Sequence, residues 1–228
     1  MRILLIISVL LSSFAFGQNF KASTFHVNAG VSWPDISPIN TLLQHPDSCT
    51  GSICYPTFRN NLFSFGFGAE GVNGNLVWQA DAYIYAISNP GARADLFRLN
   101  ILQYYYGTFR LGYAALGKKT GDYPYLLYPY VGAGGGFGQL RLSNDGTNDF
   151  DRFNTSGIIL DAGIALNTYN ELRGTDGQWL KFGGSIGYYV APASQWSLDD
   201  VTPTGPVPIS PQGVYVRLTM GIGSVRNK

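Results

Sequence analysis

The fold is decided by residues 62–85, which read LFSFGFGAEGVNGNLVWQADAYIY. On each side of the central Val72-Asn73-Gly74-Asn75, apolar residues alternate with small or polar residues. One face would carry Phe63, Phe65, Phe67, Ala69, Leu76, Trp78, Ala80, Ala82 and Ile84, and the other Ser64, Gly66, Gly68, Glu70, Gln79, Asp81, Tyr83 and Tyr85. Successive side chains of a strand point to opposite faces, and Asn-Gly is the strongest short hairpin signal, so the stretch predicts a β-hairpin with one apolar and one polar face.

The same alternation recurs along the chain and predicts eight strands in all. Apart from this hairpin, the segments are 25–33, about 103–116, about 125–140, 158–166, 180–190 and 214–222. The segment 125–140 contains Pro129 and many glycines, so alternation does not fix which way its side chains face. After residue 17, no run of about 18 apolar residues predicts a membrane-spanning helix.

The composition fits an all-β chain and excludes several classes of protein. Only 13% of the residues are charged, against about 25% in an ordinary soluble domain. The formal net charge of +1 provides no basic surface for nucleic acid, so we expect no DNA or RNA partner. Hydrophobic residues make up 45% of the chain, which is too many for a disordered protein.

Residues 1–17 have the organisation of a secretory signal peptide. Arg2 is followed by an apolar run from Ile3 to Leu11 and by a segment that ends with the small residue Gly17. A transmembrane anchor would need about 20 apolar residues, and serines interrupt this run. We therefore expect export, cleavage near Gly17 and a mature domain of residues 18–228.

The lengths of the strands and connections distinguish between the possible β folds. Segments of about ten residues match tilted strands that cross a bilayer. The connections alternate between long and short, and the long ones lie near 34–61, 86–102, 141–155 and 191–212. Long extracellular loops and short periplasmic turns produce this alternation in membrane barrels. The prediction is an all-β, eight-stranded antiparallel transmembrane up-and-down β-barrel, although the sixth connection, Asn167 to Gln178, is longer than such a turn.

A soluble β-sandwich or lipocalin-like barrel also alternates, and the polar faces separate the two classes. A soluble barrel fills its interior with the apolar face and carries abundant charge outside. Here the polar faces hold mainly Gly, Ser, Thr, Tyr and a few isolated charges, which suits a narrow lumen. The aromatic residues are numerous enough to supply girdles at two membrane interfaces.

Residues 128–138, Tyr-Pro-Tyr-Val-Gly-Ala-Gly-Gly-Gly-Phe-Gly, resemble a Pro-Tyr-x-Gly-x-Gly-x-Gly strand of small outer-membrane barrels. The resemblance is to the OmpA-like, OmpW-like and outer-membrane protein β-barrel families. Together with the signal peptide and the alternating segments, it covers the mature chain and implies a barrel in the outer membrane of a Gram-negative bacterium. Phe16-Gly17-Gln18 and the aromatic-rich loops look like exported barrels of the Bacteroidota type, whereas the last five residues lack the terminal aromatic of many such barrels.

The chain has two cysteines, Cys49 and Cys54, separated by four residues. An exported protein enters an oxidising compartment, and turn-forming residues surround the pair, so we expect a local disulfide that orders the first long loop. A zinc site would need more ligands than the two cysteines and His45 provide.

Projecting the alternation inward places six charged residues in one lumen: Glu70, Asp81, Arg110, Asp161, Lys181 and Arg217. A charge in a narrow interior of low dielectric is costly unless it is paired, so we expect hydrogen-bonded ion pairs. Glu70 and Lys181 would lie nearer the periplasm and the other four near the middle of the membrane. Because an eight-stranded interior is only wide enough for side chains to fill, this network would plug the barrel. Replacing Arg217 by Met would then strand an unpaired acid.

Other groups of residues give weaker indications of chemistry. The glycine run 132–138 does not satisfy the dinucleotide pattern G-x-G-x-x-G, and His45, Asp47 and Ser48 lie in one loop, which argues against a tuned catalytic triad. Residues 145–151 resemble part of a calcium loop but lack the Gly and Glu of an EF-hand, so a solvated loop is the default. We interpret His26 as a hydrogen-bonding group of the lumen, and we expect no enzymatic activity, cofactor or metal.

These observations favour an integral outer-membrane barrel with a structural or partner-docking role, such as an accessory to secretion or envelope assembly. Its partners would be outer-membrane lipid and another envelope protein, reached through the extracellular loops or the barrel wall. The alternative is passive transport of a small or hydrophobic solute, and a further alternative is a lipid-modifying barrel enzyme.

Overall fold

The computed structural model of the chain describes residues 20–44, 57–59, 61–90, 99–118, 124–143, 150–172, 177–191, 195–198 and 212–226. The expected signal peptide, Cys49, Cys54, the His45, Asp47 and Ser48 group and most of the acidic loop 145–151 lie outside these ranges. The signal peptide, the disulfide and the interpretation of the acidic loop therefore stay predictions.

Ten strands and one short helix make up the regular structure of the described residues. The eight long strands are β1 (Lys21–Pro34), β2 (Leu62–Asn73), β3 (Leu76–Pro90), β4 (Leu99–Tyr113), β6 (Tyr125–Ser143), β7 (Phe150–Glu171), β8 (Gln178–Val190) and β10 (Gly213–Arg226). The short elements are α1 (Ser37–Leu43), β5 (Leu116–Lys118) and β9 (Gln195–Leu198).

The eight long strands form one closed antiparallel barrel. Around the wall their order is β6, β4, β3, β2, β1, β10, β8 and β7, and the pairing of β7 with β6 closes the ring. The first and last strands pair over their whole length, from Lys21 opposite Arg226 to Pro34 opposite Gly213. The short strands extend this sheet, with β5 added to β6 and β9 added to β7. The predicted all-β, eight-stranded antiparallel barrel is confirmed.

The two ends of the barrel differ in their connections. One end, which we call the turn end, carries Lys21, Arg226 and the tight turn between β2 and β3. Gly74 adopts a φ of 62° in this turn, the left-handed conformation for which Asn-Gly is favoured. The opposite end, which we call the loop end, carries the connections 35–61, 91–98, 144–149 and 191–212.

Several strands extend further than the alternation predicts. Since β4 begins at Leu99 and β6 ends at Ser143, the connections at the loop end are shorter than the expected 86–102 and 141–155. β7 continues to Glu171, so much of the sixth connection that the sequence left unexplained is strand. The added residues continue the backbone ladders, with Leu142 opposite Asn100, and a ladder needs backbone partners but no alternation of side chains.

The glycine-rich strand β6 is continuous, and the structure fixes its facing. Val131 and Phe137 point outward, whereas Tyr128 and Tyr130 point inward. Pro129 falls between the ladder with β5 and the ladder with β4, so its missing N–H interrupts neither of them.

The two faces of the wall have the opposite polarity to those of a soluble protein. Outward-facing Phe25 is 76% exposed and Leu218 is 69% exposed. The inward-facing Thr24, His26 and Arg217 on the same two strands are buried. An apolar outer surface around a polar interior is the arrangement of a barrel that spans a lipid bilayer.

The helix α1 lies in the first connection of the loop end and was not predicted from the sequence. Asp35 Oδ1 accepts a hydrogen bond from the backbone N–H of Ser37 at 3.1 Å. Ile39 and Leu43 are buried, so the helix packs its apolar side against the barrel. In the part of the chain that the structure describes, no helix is long and apolar enough to cross a membrane.

Candidate functional site

The middle of the lumen is polar because many inward-facing positions of the wall carry polar side chains. All six charged residues that the sequence assigned to the lumen are buried, with exposed fractions of at most 6%. The structure groups five of them into two ion-paired clusters and surrounds the sixth with tyrosines.

Glu70 is the centre of the cluster nearest the turn end. It is held by five donors: Lys181 Nζ at 2.8 Å, Gln79 Nε2 at 2.6 Å, Asn167 Nδ2 at 2.6 Å and the hydroxyls of Tyr128 at 3.0 Å and Tyr169 at 2.6 Å. Since β2 and β7 are on opposite sides of the ring, the bond from Tyr169 to Glu70 crosses the whole lumen. These donors stabilise the charged carboxylate in its buried position.

Arg110 is the centre of the second cluster and bridges two carboxylates. Its Nη1 atom lies 2.7 Å from Asp81 Oδ2, and its Nε atom donates to Asp161 Oδ2 at 2.6 Å. Its side chain crosses the adjacent strand at Gly132, where a Cβ atom would come within 2.7 Å of Arg110 Cγ. One guanidinium therefore joins residues of β3, β4 and β7.

His26 completes the surroundings of Asp81. Its Nε2 atom lies 2.7 Å from Asp81 Oδ1, and Asn28 Nδ2 donates to the same oxygen at 3.0 Å. Thr219 in turn donates to Asn28 Oδ1 at 2.7 Å, which links this cluster to β10. His26 is thus the hydrogen-bonding group of the lumen that its place in the sequence suggested.

Arg217 departs from the expected pattern of ion pairs. Its guanidinium carbon lies 3.6 Å from the ring centre of Tyr215 and 4.0 Å from that of Tyr83. Its Nη2 atom donates to the hydroxyl of Tyr106, and among the described residues no carboxylate pairs with it. The expectation that Arg217 pairs with an acid is wrong, because Arg110 binds Asp81 and Asp161 and the Tyr215 hydroxyl also donates to Asp161.

The tyrosines around Arg217 were missed as functional residues by the sequence analysis. They stack on one another, with ring centres 4.9 Å apart for Tyr83 and Tyr106 and 5.5 Å apart for Tyr85 and Tyr106. The signal was present, because the alternation put Tyr83 and Tyr85 on the polar face of β3. Cation–π contacts and phenol hydroxyls stabilise a buried guanidinium without a countercharge.

The loop end of the lumen is closed by apolar side chains. Ile36, Ile39 and Leu43 from the region of α1 join Phe58 and residues of the wall in one buried cluster. Asn40 attaches this region to the end of the same connection, since its side chain accepts from the Phe58 N–H at 2.8 Å and donates to the Phe58 carbonyl at 3.0 Å.

The turn end is closed in the same way. Phe20, Leu126, Tyr169 and Trp179 belong to a second buried cluster. The rings of Phe20 and Tyr169 meet edge to face with centres 5.7 Å apart. From the turn end to the loop end, the lumen therefore contains an apolar layer, the Glu70 cluster, the Arg110 cluster, Arg217 among tyrosines and a second apolar layer.

Two kinds of reactive group, a catalytic nucleophile and a metal site, can be looked for among the polar side chains of the lumen. His26 and Asp81 form a hydrogen-bonded pair, but no serine or cysteine hydroxyl or thiol in the described residues bonds to the histidine. Within those same ranges, no three His, Cys, Asp or Glu side chains are grouped in a way that could hold a metal ion. The arrangement pairs buried charges with one another.

Comparison with known proteins finds similar folds only. No protein-family model matches the sequence, and no curated protein matches it. Ail, the attachment invasion locus protein of Yersinia pestis, solved in complex with the heparin analogue sucrose octasulfate, has 10% identity over 92% of this chain and 99% of Ail, with a TM-score of 0.43. A major outer membrane protein of Thermus thermophilus has 10% identity over 90% of this chain and 99% of its own, with a TM-score of 0.44. Neisserial surface protein A has 12% identity over 90% and 96%, with a TM-score of 0.36.

The assignment to a membrane rests on the wall and lumen of this chain. The wall is closed, antiparallel and apolar outside, and the middle of the lumen is polar, with five of its six predicted charged residues in ion pairs. Such barrels span outer membranes with their short turns in the periplasm, so we expect the turn end to face the periplasm. The chain is therefore an eight-stranded transmembrane β-barrel of the bacterial outer membrane.

Proposed function

We propose that this protein is a non-conducting outer-membrane barrel that serves as a structural or docking component of the cell envelope and has no enzymatic activity. The observation that carries the proposal is the filling of the lumen at every level between the two apolar layers. A barrel closed in this way offers its wall and its loops to other molecules.

The closed lumen argues against passive transport through the barrel. A solute would have to separate Arg110 from Asp81 and Asp161, which lie at 2.7 and 2.6 Å. Breaking a buried pair by removing one partner typically costs about 3–5 kcal/mol. The Glu70 cluster and the apolar layers would have to open as well.

The burial of His26 and Asp81 argues against a lipid-modifying enzyme. Their exposed fractions are 5% and 6%, and both side chains point into the lumen, away from lipid. A general base must reach the proton that it abstracts within hydrogen-bond distance, and no substrate reaches this pair.

The loop end is the surface that we assign to docking. Its two longest connections, residues 35–61 and 191–212, carry most of the proline of the chain. Proline stiffens an exposed segment, and a stiff segment loses less conformational entropy when it binds. The partner would be another protein of the envelope.

Two measurements test this proposal. In planar bilayers the refolded protein should show no large, steady conductance, with a general porin as the positive control. In native membranes, chemical cross-linking and affinity purification should recover a protein partner, and a variant with residues 201–210 replaced by Gly and Ser should lose it while keeping its heat-modifiable gel migration. Steady channels would overturn the closed lumen, and a partner unaffected by the exchange of both long connections would overturn docking through the loops.

A further inference from the structure

Two basic residues meet on the outer surface of the barrel at its turn end. Lys21 on β1 and Arg226 on β10 are directly opposite each other in the register, and both are exposed. In the described part of the chain, neither side chain forms a hydrogen bond or an ion pair. Like charges placed directly opposite on neighbouring strands repel, and an anion bound between them would offset this repulsion.

A groove of about 370 Å³ lies beside these two side chains. The next outward-facing pair along the same strands is Ser23 opposite Ser224, and both residues line the groove. Trp78 forms the far wall by lying across Gly71, where a Cβ atom would come within 2.5 Å of Trp78 Cζ2. The groove therefore combines two cations, two hydroxyls and an indole ring.

The surface becomes apolar further toward the middle of the membrane. Phe25 opposite Ile222 and Val27 opposite Met220 follow the serines on the same two strands. These four residues line a second groove of about 480 Å³. A step of four residues along a strand covers about 13 Å, so the cations and the apolar groove lie within the length of one lipid molecule.

We propose that this face is a binding site for an anionic glycerophospholipid of the periplasmic leaflet. Lys21 and Arg226 bind the phosphate, the hydroxyls of Ser23 and Ser224 donate to its oxygens or to the ester groups, and the acyl chains lie along Phe25 and Ile222. The order of charge, hydroxyl and apolar surface matches the order of these groups in the lipid. Lys and Arg near a membrane surface attract anionic headgroups, and an indole ring is favoured at the headgroup level.

The assignment to lipid rather than to a free anion follows from the shape of the site. The cationic groove is shallow and lies on the outer wall, where a soluble anion would keep most of its water. The adjoining apolar groove is covered only when a hydrocarbon chain occupies it. This inference concerns the outer wall and does not depend on the proposed docking role.

The test measures lipid retention by native mass spectrometry of the detergent-solubilised, folded protein. The probes are phosphatidylglycerol, phosphatidylcholine and inorganic phosphate. The variant is Lys21→Gln combined with Arg226→Gln, and the control is Lys118→Gln combined with Arg59→Gln, which removes two positive charges elsewhere. Heat-modifiable migration establishes that each protein is folded.

The wild type and the control should retain phosphatidylglycerol, and the double variant should bind it about 30-fold more weakly. Each single variant should lose about fivefold, which keeps the test available should the double variant not fold. Equal retention of phosphatidylcholine, an equal loss in the control, or displacement of phosphatidylglycerol by equimolar inorganic phosphate would overturn the proposal.

Discussion

Arg110 lies across Gly132, its register partner on the neighbouring strand, with no room for a Cβ atom between them. Arg217 has the same relationship with Gly30, where a Cβ atom would come within 2.7 Å of Arg217 Cγ. Each lumen arginine therefore uses a glycine of the adjacent strand to reach the centre of the barrel.

The first prediction concerns the space at Gly132. Gly132→Val should destabilise the barrel by about 3 kcal/mol, because the added methyl groups push Arg110 away from two carboxylates. The control is Ala133→Val, which adds two methyl groups one residue along at an exposed position of the wall. Urea unfolding of each variant, refolded in lipid vesicles, measures its free energy of unfolding. Equal losses in the two variants would contradict the close approach of Arg110 to Gly132.

The second prediction compares the two arginines. Arg110→Met should cost about 3–5 kcal/mol, because it leaves Asp81 and Asp161 without their shared cation. Arg217→Met should cost less, about 2 kcal/mol or below, because it strands no acid and methionine packs well among aromatic rings. The same unfolding assay ranks the two variants. The reverse order would show that the tyrosines do not replace an ion pair.

The third prediction concerns the closure of the loop end by Asn40. Asn40→Ala removes both hydrogen bonds to the backbone of Phe58 and should expose the connection 35–61 to protease in intact cells. Thr41→Ala is the control, since its hydroxyl bonds only within the helix, to the Ser37 carbonyl. Identical cleavage of the two variants would mean that Asn40 does not hold this segment.

The fourth prediction concerns the cysteines. Cys49 and Cys54 should resist alkylation in the intact, oxidised protein and react after reduction, as mass spectrometry would detect. The double variant with both changed to Ser should still insert and show heat-modifiable migration, because a short closed loop contributes little chain entropy. Free thiols before reduction would refute the disulfide.

The sequence predicts the facing of side chains well, because a period of two is a local property of each strand. Glu70, Asp81 and Asp161 all point inward as the alternation requires. Which inward groups touch depends on the stagger between strands around the ring, and no single strand encodes that stagger. Arg217 shows the consequence, since it points inward as predicted but does not form the expected ion pair.

The alternation of side chains did not predict the helix α1 or the full length of β7. α1 is only seven residues long, so it has too few turns to show a helical period. The extra length of β7 comes from ladders with β6 and β9 near the loop end and with β6 and β8 at the turn end, and a backbone ladder requires no alternation of side chains. Sequence periodicity therefore identified the part of the barrel that meets the membrane and not the part beyond it.

The bonds that cross the lumen also govern how the barrel responds to force. Tyr169 reaches Glu70 from the opposite strand of the ring, and Arg217 on β10 reaches Tyr106 on β4, which is again diametrically opposite. Because each bond joins opposite strands of the ring, the two bonds oppose flattening of the circular cross-section into an ellipse. We therefore expect a lateral force on one side of the wall to be transmitted through these bonds to the opposite side.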